Sequence, residues 1–291
     1  MLTGPHRTYL FAPGNHARKV AKVFAAGADA AILDLEDAVA VAEKEATRAL
    51  VTAALKVPRP CRGFVRVNAF DTPFCQGDLA AVVGPGLDGI VLPKVETPDA
   101  LLAVDGSIAE LERQRGLTPG AIDLMPIIET AQGLEGVSAI AAARGRTHRL
   151  SFGAVDFARD LRMRLTVEEW ELTPARARIA LASRAAGLEA PVDSVYVHFR
   201  DLEGLRQSAL RALTLGFQGK MCIHPDQVAP VNRAFTPSDE EAAKAEKVVA
   251  AFEQAEAAGS ASIVVDGFFV DYPVVDQARR TLALVKSIRG R

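Results

Sequence analysis

The chain is poor in the features that mark several large classes of protein. Only three of its 291 residues are cysteine, Cys61, Cys75 and Cys222. An odd number at such wide spacings gives neither a disulfide framework nor a zinc-binding pattern. A reducing cytoplasm is the expected setting. Long hydrophobic runs are missing too, since no stretch approaches about 20 uninterrupted apolar residues. Met1-Leu2-Thr3-Gly4-Pro5-His6-Arg7 lacks the apolar centre of a signal peptide. The chain is therefore expected to be cytoplasmic, neither secreted nor membrane-spanning. Basic charge is not in excess: the formal net charge is -2, with no basic block, so nucleic acid is not an expected partner. Local basic clusters at Arg144/Arg146/Arg149 and Arg159/Arg162/Arg164 read as solvated faces. No G-x-G-x-x-G follows the first strand, which argues against a dinucleotide site. No P-loop and no Ser/His/Asp elbow is present. Neither an internal repeat nor a low-complexity linker interrupts the chain.

What is present is alternation. Short β-rich runs trade places with longer helix-like runs from end to end. The predicted strands are Tyr9–Ala12, Ala31–Leu35, Phe64–Asn68, Gly89–Lys94, Leu124–Ile128, Leu150–Asp156, Ser194–Phe199 and Gly219–His224. Helices are expected near 16–26, 41–55, 98–114 and 173–187. Strand starts recur about every 25–40 residues, the length of a strand plus its crossover helix. Eight such units predict an α/β fold, a (β/α)₈ TIM barrel over 1–235. Residues 236–291 form a C-terminal helical extension, with a helix at 238–258 capped by Ser238, a β-prone run Ile263-Val264-Val265, and a last helix to about Ile288. The extension is expected to pack on its own barrel or to cap a neighbouring subunit.

In such a barrel the functional face lies at the C-terminal ends of the strands. Two strands end in isolated carboxylates, Leu124-Met125-Pro126-Ile127-Ile128-Glu129 and Leu150-Ser151-Phe152-Gly153-Ala154-Val155-Asp156. Such a pair can share Mg²⁺, which asks for one or two carboxylates and takes its other ligands from water and substrate. The plainer reading makes Glu129 a helix cap and Asp156 the opening of a turn. Asp34 and Glu36 share one side of the second strand, and Asp37 has entered the loop. Arg66 faces these acids with a planar fork suited to a small carboxylate. Lys94 is read first as an ion-pair partner of Glu36 or Asp37. Backbone N–H groups at Ala131 and Phe157 are candidate helpers at the helix starts. His198 reads as a satisfied strand histidine. His6, His16 and His148 read as surface residues, and Trp170 as packing.

Seven stretches in order resemble the citrate lyase β-subunit-like group of the HpcH/HpaI aldolase superfamily. They are Leu10-Phe11-Ala12-Pro13-Gly14-Asn15, Leu33-Asp34-Leu35-Glu36-Asp37-Ala38-Val39, Arg66-Val67-Asn68 and Leu92-Pro93-Lys94-Val95-Glu96. Ile127-Ile128-Glu129-Thr130-Ala131, Phe152-Gly153-Ala154-Val155-Asp156-Phe157 and Gly219-Lys220-Met221-Cys222-Ile223-His224-Pro225 follow. Each motif alone is weak; seven in register are specific. The resemblance implies a Mg²⁺-dependent carbon–carbon lyase acting on a 3-hydroxyacyl-CoA such as malyl-, citramalyl- or citryl-CoA. Its keto-acid partner would be glyoxylate, pyruvate or oxaloacetate. A malyl-CoA thioesterase, or the β subunit of a citrate lyase complex using a carrier-bound thioester, is the alternative. The resemblance makes Glu129 and Asp156 metal ligands and Arg66 the grip on the keto-acid carboxylate. Phe11, Arg18 and Lys22 would contact CoA, with Ile223 and His224 along the same channel. Glu36, Asp37 and Lys94 would support the site. Asp271, in Val270-Asp271-Tyr272-Pro273, would reach a neighbouring subunit's site as the acid/base, in a homotrimer or hexamer.

Overall fold

The computed structural model describes residues 6–143 and 145–290. Met1–Pro5, part of the stretch read for a leader, and Arg144, from one basic cluster, lie outside them. The chain divides into two compact units, residues 6–232 and residues 233–290.

The first unit is a closed barrel of eight parallel strands in sequential order, the expected TIM-barrel fold. It runs β1 (Thr8–Pro13), α1 (Ala17–Val23), β2 (Ala30–Asp34), α2 (Lys44–Leu55), β3 (Arg62–Arg66), α3 (Cys75–Val82), β4 (Gly89–Leu92) and α4 (Pro98–Gln114). Then come β5 (Asp123–Ile128), α5 (Ala131–Glu135), α6 (Val137–Ala143), β6 (Ser151–Phe152), α7 (Ala154–Asp160) and α8 (Thr173–Ala185). The barrel closes through β7 (Val192–Asp193), α9 (Leu202–Thr214) and β8 (Gly219–Cys222), followed by α10 (Val228–Ala234).

Period-two alternation decides what fills the barrel. Tyr9, Ala30, Ile32, Phe64, Val91, Met125, Ile127, Val192 and Met221 form its buried interior. Counting two residues further along several strands gives Phe11, Asp34, Arg66 and Glu129. The apolar interior is thus capped by a polar layer at the C-terminal rim, carried by the same inward faces. Burying these interior side chains contributes about 1.5–3 kcal/mol for each large one.

Several expectations need correction. The seventh strand is Val192–Asp193, not Ser194–Phe199. After Asp193 the chain leaves the ladder: the Ser194 hydroxyl accepts the Ala154 N–H at 2.8 Å, and Gln227 donates to the Tyr196 carbonyl at 2.9 Å. His198 is consequently an exposed loop residue. The sixth strand stops at Phe152, and Asp156 sits in the first turn of α7. Trp170 is 71% exposed and packs little, whereas His6 is buried. Arg146 and Arg149 are buried as well, because each meets acids inside the fold. Arg146 binds Asp105 and Glu112, and Arg149 binds Asp123 and Glu189. Arg159, Arg162 and Arg164 are solvated, as expected.

The second unit holds α11 (Asp239–Ala257), a hairpin of β9 (Ile263–Val265) and β10 (Phe268–Val270), and α12 (Tyr272–Arg289). Ser238 and Glu241 exchange the reciprocal bonds of a capping box at the start of α11. Asp266 and Gly267 both have positive φ, 50° and 81°, and form the two-residue turn that such hairpins favour. Phe252, Val248, Val270 and Val275 make the small core of this unit. Val264, Phe268 and Phe269 stay exposed.

Candidate active site

Strand register builds the site. Asp34 and Arg66 are paired positions at the ends of β2 and β3, so their side chains meet on the inner face. Arg66 Nε and Nη2 donate to Asp34 Oδ1 and Oδ2 at 2.8 and 2.6 Å. This is a bidentate pair of the kind Arg forms with carboxylates. Asp34 also accepts the backbone N–H of Glu36 at 2.9 Å and of Ala38 at 3.2 Å, which fixes the turn after β2. Arg66 Nη1 lies 2.9 Å from Glu36 Oε2 without hydrogen-bond alignment. The guanidinium stands over the Phe11 ring at 5.0 Å. Its fork is thus partly taken by the protein's own acids, a partnership that residue types alone did not reveal.

Lys94 joins the next strands. Its ammonium bonds Glu36 and lies 3.5 Å from Asp37, as the sequence suggested. Its backbone is left-handed, with φ 52°, and its N–H donates to Glu129 Oε1 at 2.8 Å. Glu129 follows β5 directly and is only 2% exposed. It is not a helix cap: Thr130 performs that task for α5, accepting the Gly133 N–H at 3.0 Å. On its other side stands Gly153, where an added Cβ would come within 2.2 Å of Glu129 Oε2. Glycine here leaves the carboxylate its space.

The electrostatics are lopsided. Burial, then the neighbouring Asp156 and Glu36 charges, push Glu129 up to about 8. Burial likewise raises Glu36, despite Arg66 and Lys94 beside it. Although burial works the other way, Lys94 and Arg66 hold Asp37 below the usual carboxylate range. Five carboxylates, Asp34, Glu36, Asp37, Glu129 and Asp156, are set against Arg66 and Lys94; the exposed Arg159 adds a contact to Asp156 at 3.6 Å. The excess is negative, the donors are oxygen only, and a buried carboxylate is driven toward its neutral form. Those properties fit a hard divalent cation held by Glu129 and Asp156.

The remaining predicted residues fall in three places. Arg18 and Lys22 are exposed on α1, one turn apart and beyond β1. Ile223 and His224 follow β8, where the Gln227 side-chain oxygen accepts both backbone N–H groups, at 2.8 and 3.3 Å. The His224 ring stacks on Phe199 at 5.2 Å. Asp271 belongs to the second unit, where it caps α12 by accepting the Val274 N–H at 3.5 Å. Two expected helpers are otherwise engaged: Ala131 N–H donates to Asp160 at 2.7 Å, and Phe157 N–H to the Gly153 carbonyl. Asn68 and Asp78 also support the site. Asn68 bonds the Leu35 carbonyl at 2.9 Å and Asp78 at 2.7 Å, holding the segment between Asp34 and Glu36. Only the position of Asn68 at a strand tip hinted at this.

Known proteins share this arrangement of chain and fold. The model of the HpcH/HpaI aldolase/citrate lyase family matches residues 7–225. A citrate lyase subunit beta from Leuconostoc mesenteroides is 37% identical over 283 residues, covering 97% of this chain and 93% of the relative. An L-malyl-CoA/beta-methylmalyl-CoA lyase from Cereibacter sphaeroides is also 37% identical, over 298 residues, covering 94% and 92%. Among solved structures, the protein CitE from Mycobacterium tuberculosis, in complex with magnesium, acetoacetate and coenzyme A, is 32% identical with a TM-score of 0.79. That match covers 97% of this chain and 98% of CitE. The chain belongs to the HpcH/HpaI aldolase/citrate lyase family.

Proposed function

We propose that this protein is a Mg²⁺-dependent carbon–carbon lyase. It would cleave or form a 3-hydroxyacyl-CoA such as malyl-, citramalyl- or citryl-CoA, with a keto acid and acetyl-CoA as the other side of the reaction. The observation that carries the reading is the setting of Glu129, a buried carboxylate beside Asp156 and facing Arg66 across the barrel rim. Magnesium, coenzyme A and a keto-acid-like ligand together in the CitE complex support it.

Glu129 and Asp156 would hold the cation, which supplies Lewis-acid polarisation of the substrate oxygen. Arg66, anchored by Asp34, offers its outer N–H groups to the substrate carboxylate. Loss of the hydroxyl proton lets the carbon–carbon bond break, releasing glyoxylate, pyruvate or oxaloacetate. The electron pair stays on the thioester enolate, whose carbon then takes up a proton. Asp271, delivered by a neighbouring subunit of a trimer or hexamer, is the proposed acid/base at that carbon. The 236–291 extension would then cap the neighbour's site. Arg18 and Lys22 suit the phosphates of CoA, since two like charges one turn apart gain from an anion. Phe11, Ile223 and His224 would line the path of its chain. Among the described residues no helix is long and apolar enough to cross a membrane, and a cytoplasmic enzyme is the proposed setting.

The test is an assay with Mg²⁺ and malyl-, citramalyl- and citryl-CoA, following keto acid and acetyl-CoA, with EDTA as control. Metal-dependent release of both products is expected. Free CoA without keto acid would make the protein a thioesterase. The equal identity to a citrate lyase subunit beta favours a second reading, a lyase-complex subunit using a carrier-bound thioester. Silence on all three CoA substrates, with activity restored by a carrier-bound one, would select it.

A further inference from the structure

Lys94 is one of four described non-glycine residues with positive φ. At φ 52° a Cβ is strained, and glycine would be the relaxed choice. Its backbone and its side chain point to different halves of the rim. The left-handed turn directs the N–H to Glu129 Oε1 at 2.8 Å, and the next residue rejoins β5 through Val95 N–H to the Ile127 carbonyl at 3.2 Å. The ammonium bonds Glu36, whose other oxygen faces Arg66 Nη1 at 2.9 Å. Asp34 holds the opposite edge of the same guanidinium. Glutamate at 36 is thus shared by two cations: Arg66 is also held bidentately by Asp34, whereas the Lys94 ammonium has only the longer approach to the exposed Asp37 at 3.5 Å. Removing the ammonium leaves Glu36 to pull on Arg66 alone.

We propose that Lys94 is a positioning residue serving both halves of the site: its backbone N–H orients the metal-holding Glu129, and its ammonium, through Glu36, sets the outer edge of Arg66. A strained lysine stands where glycine would relax because the side chain is needed as well as the turn. The proposal rests on the reading of Glu129 as metal ligand and Arg66 as carboxylate grip.

Lys94→Met and Lys94→Gly both keep the N–H and lose the ammonium. Calorimetric titration with Mg²⁺, and then with pyruvate at saturating Mg²⁺, separates the two tasks without any turnover. Both variants are expected to bind Mg²⁺ within about threefold of wild type and pyruvate about tenfold or more weakly. Lys94→Arg, which keeps the charge, should recover most of the pyruvate affinity. Because the link runs in series, Glu36→Gln should weaken pyruvate similarly, and the Lys94→Met/Glu36→Gln pair should lose no more than either alone. Equal losses for Mg²⁺ and pyruvate, no loss for either, or additive losses in the pair would overturn the proposal alone. A wild type that binds no Mg²⁺ would overturn both it and the reading beneath it.

Discussion

Two buried ionic clusters in the barrel unit are made of the same residue types and behave oppositely. One lies between the outer face of β7 and β8 and the surrounding helices. There Asp193, fully buried, meets Arg176 at 2.8 Å and Lys220 at 2.5 Å, and Arg176 also reaches Glu169 at 3.0 Å. Both oxygens of Asp193 are bonded, and Ser208 satisfies Glu169 as well. Burial alone would raise Asp193, yet Arg176 and Lys220 pull it down to about 2. The other cluster, at the strand tips, has too many acids for its cations, and its central carboxylate is pushed up to about 8. The balanced cluster satisfies its own charges, whereas the unbalanced one carries an excess of acid that a bound cation would offset.

Mutation should separate the two. Glu129→Gln is expected to cut lyase turnover by about 10³-fold or more. It should nonetheless raise the unfolding temperature measured in EDTA, since it removes a carboxylate that the fold disfavours. A fall in that temperature would break the contrast. Asp271→Asn should lose about 10²–10⁴-fold in turnover, with an unchanged melting temperature and Mg²⁺ titration, because asparagine caps a helix as well as aspartate does. Wild-type activity in that variant would remove Asp271 from the mechanism.

In the balanced cluster, Asp193→Ala should cost about 3–5 kcal/mol in chemical denaturation by leaving Arg176 and Lys220 without their shared acid. The pH dependence has a defined sign. Asp193 is depressed in the folded state, to about 2, from an ordinary value of about 3.9. Its contribution is therefore full above about pH 4 and fades as pH falls toward about 2. Subtracting the Asp193→Ala stability profile from that of the wild type should reveal a loss confined to that window. The smallest effect is expected at Arg113, whose exposed pair with Glu110 on α4 is open to solvent: Arg113→Ala should leave the melting temperature unchanged.

Charged residues differ in how far the sequence alone reveals their partners. Glu129 stands at the end of an unbroken apolar run, so its place at a strand tip could be read from the order of residues. Its bonding to the Lys94 N–H could not, because that depends on a left-handed turn one strand away. Arg146 and Arg149 looked like surface charge, since nothing local announces that Glu112, Asp123 and Glu189 would meet them. The sequence points to a seventh strand beyond Val192-Asp193 because Val195, Tyr196 and Val197 have more β character. Side chains from other segments, Gln227 among them, took the backbone partners a ladder would have needed.

Sequence by itself determined the alternation of strand and helix, hence the eight-stranded barrel, and which residues could serve as acids, cations and caps. Those properties follow from periods of 2 and 3.6 and from side-chain chemistry, which are local. Tertiary structure decided the rest of which charges face one another: that Arg66 is bound to Asp34, that Glu36 rather than Asp37 is the nearer partner of Lys94, and that one buried cluster is balanced and the other is not. Pairing depends on register between strands and on burial, and both arise only when distant segments close into one barrel.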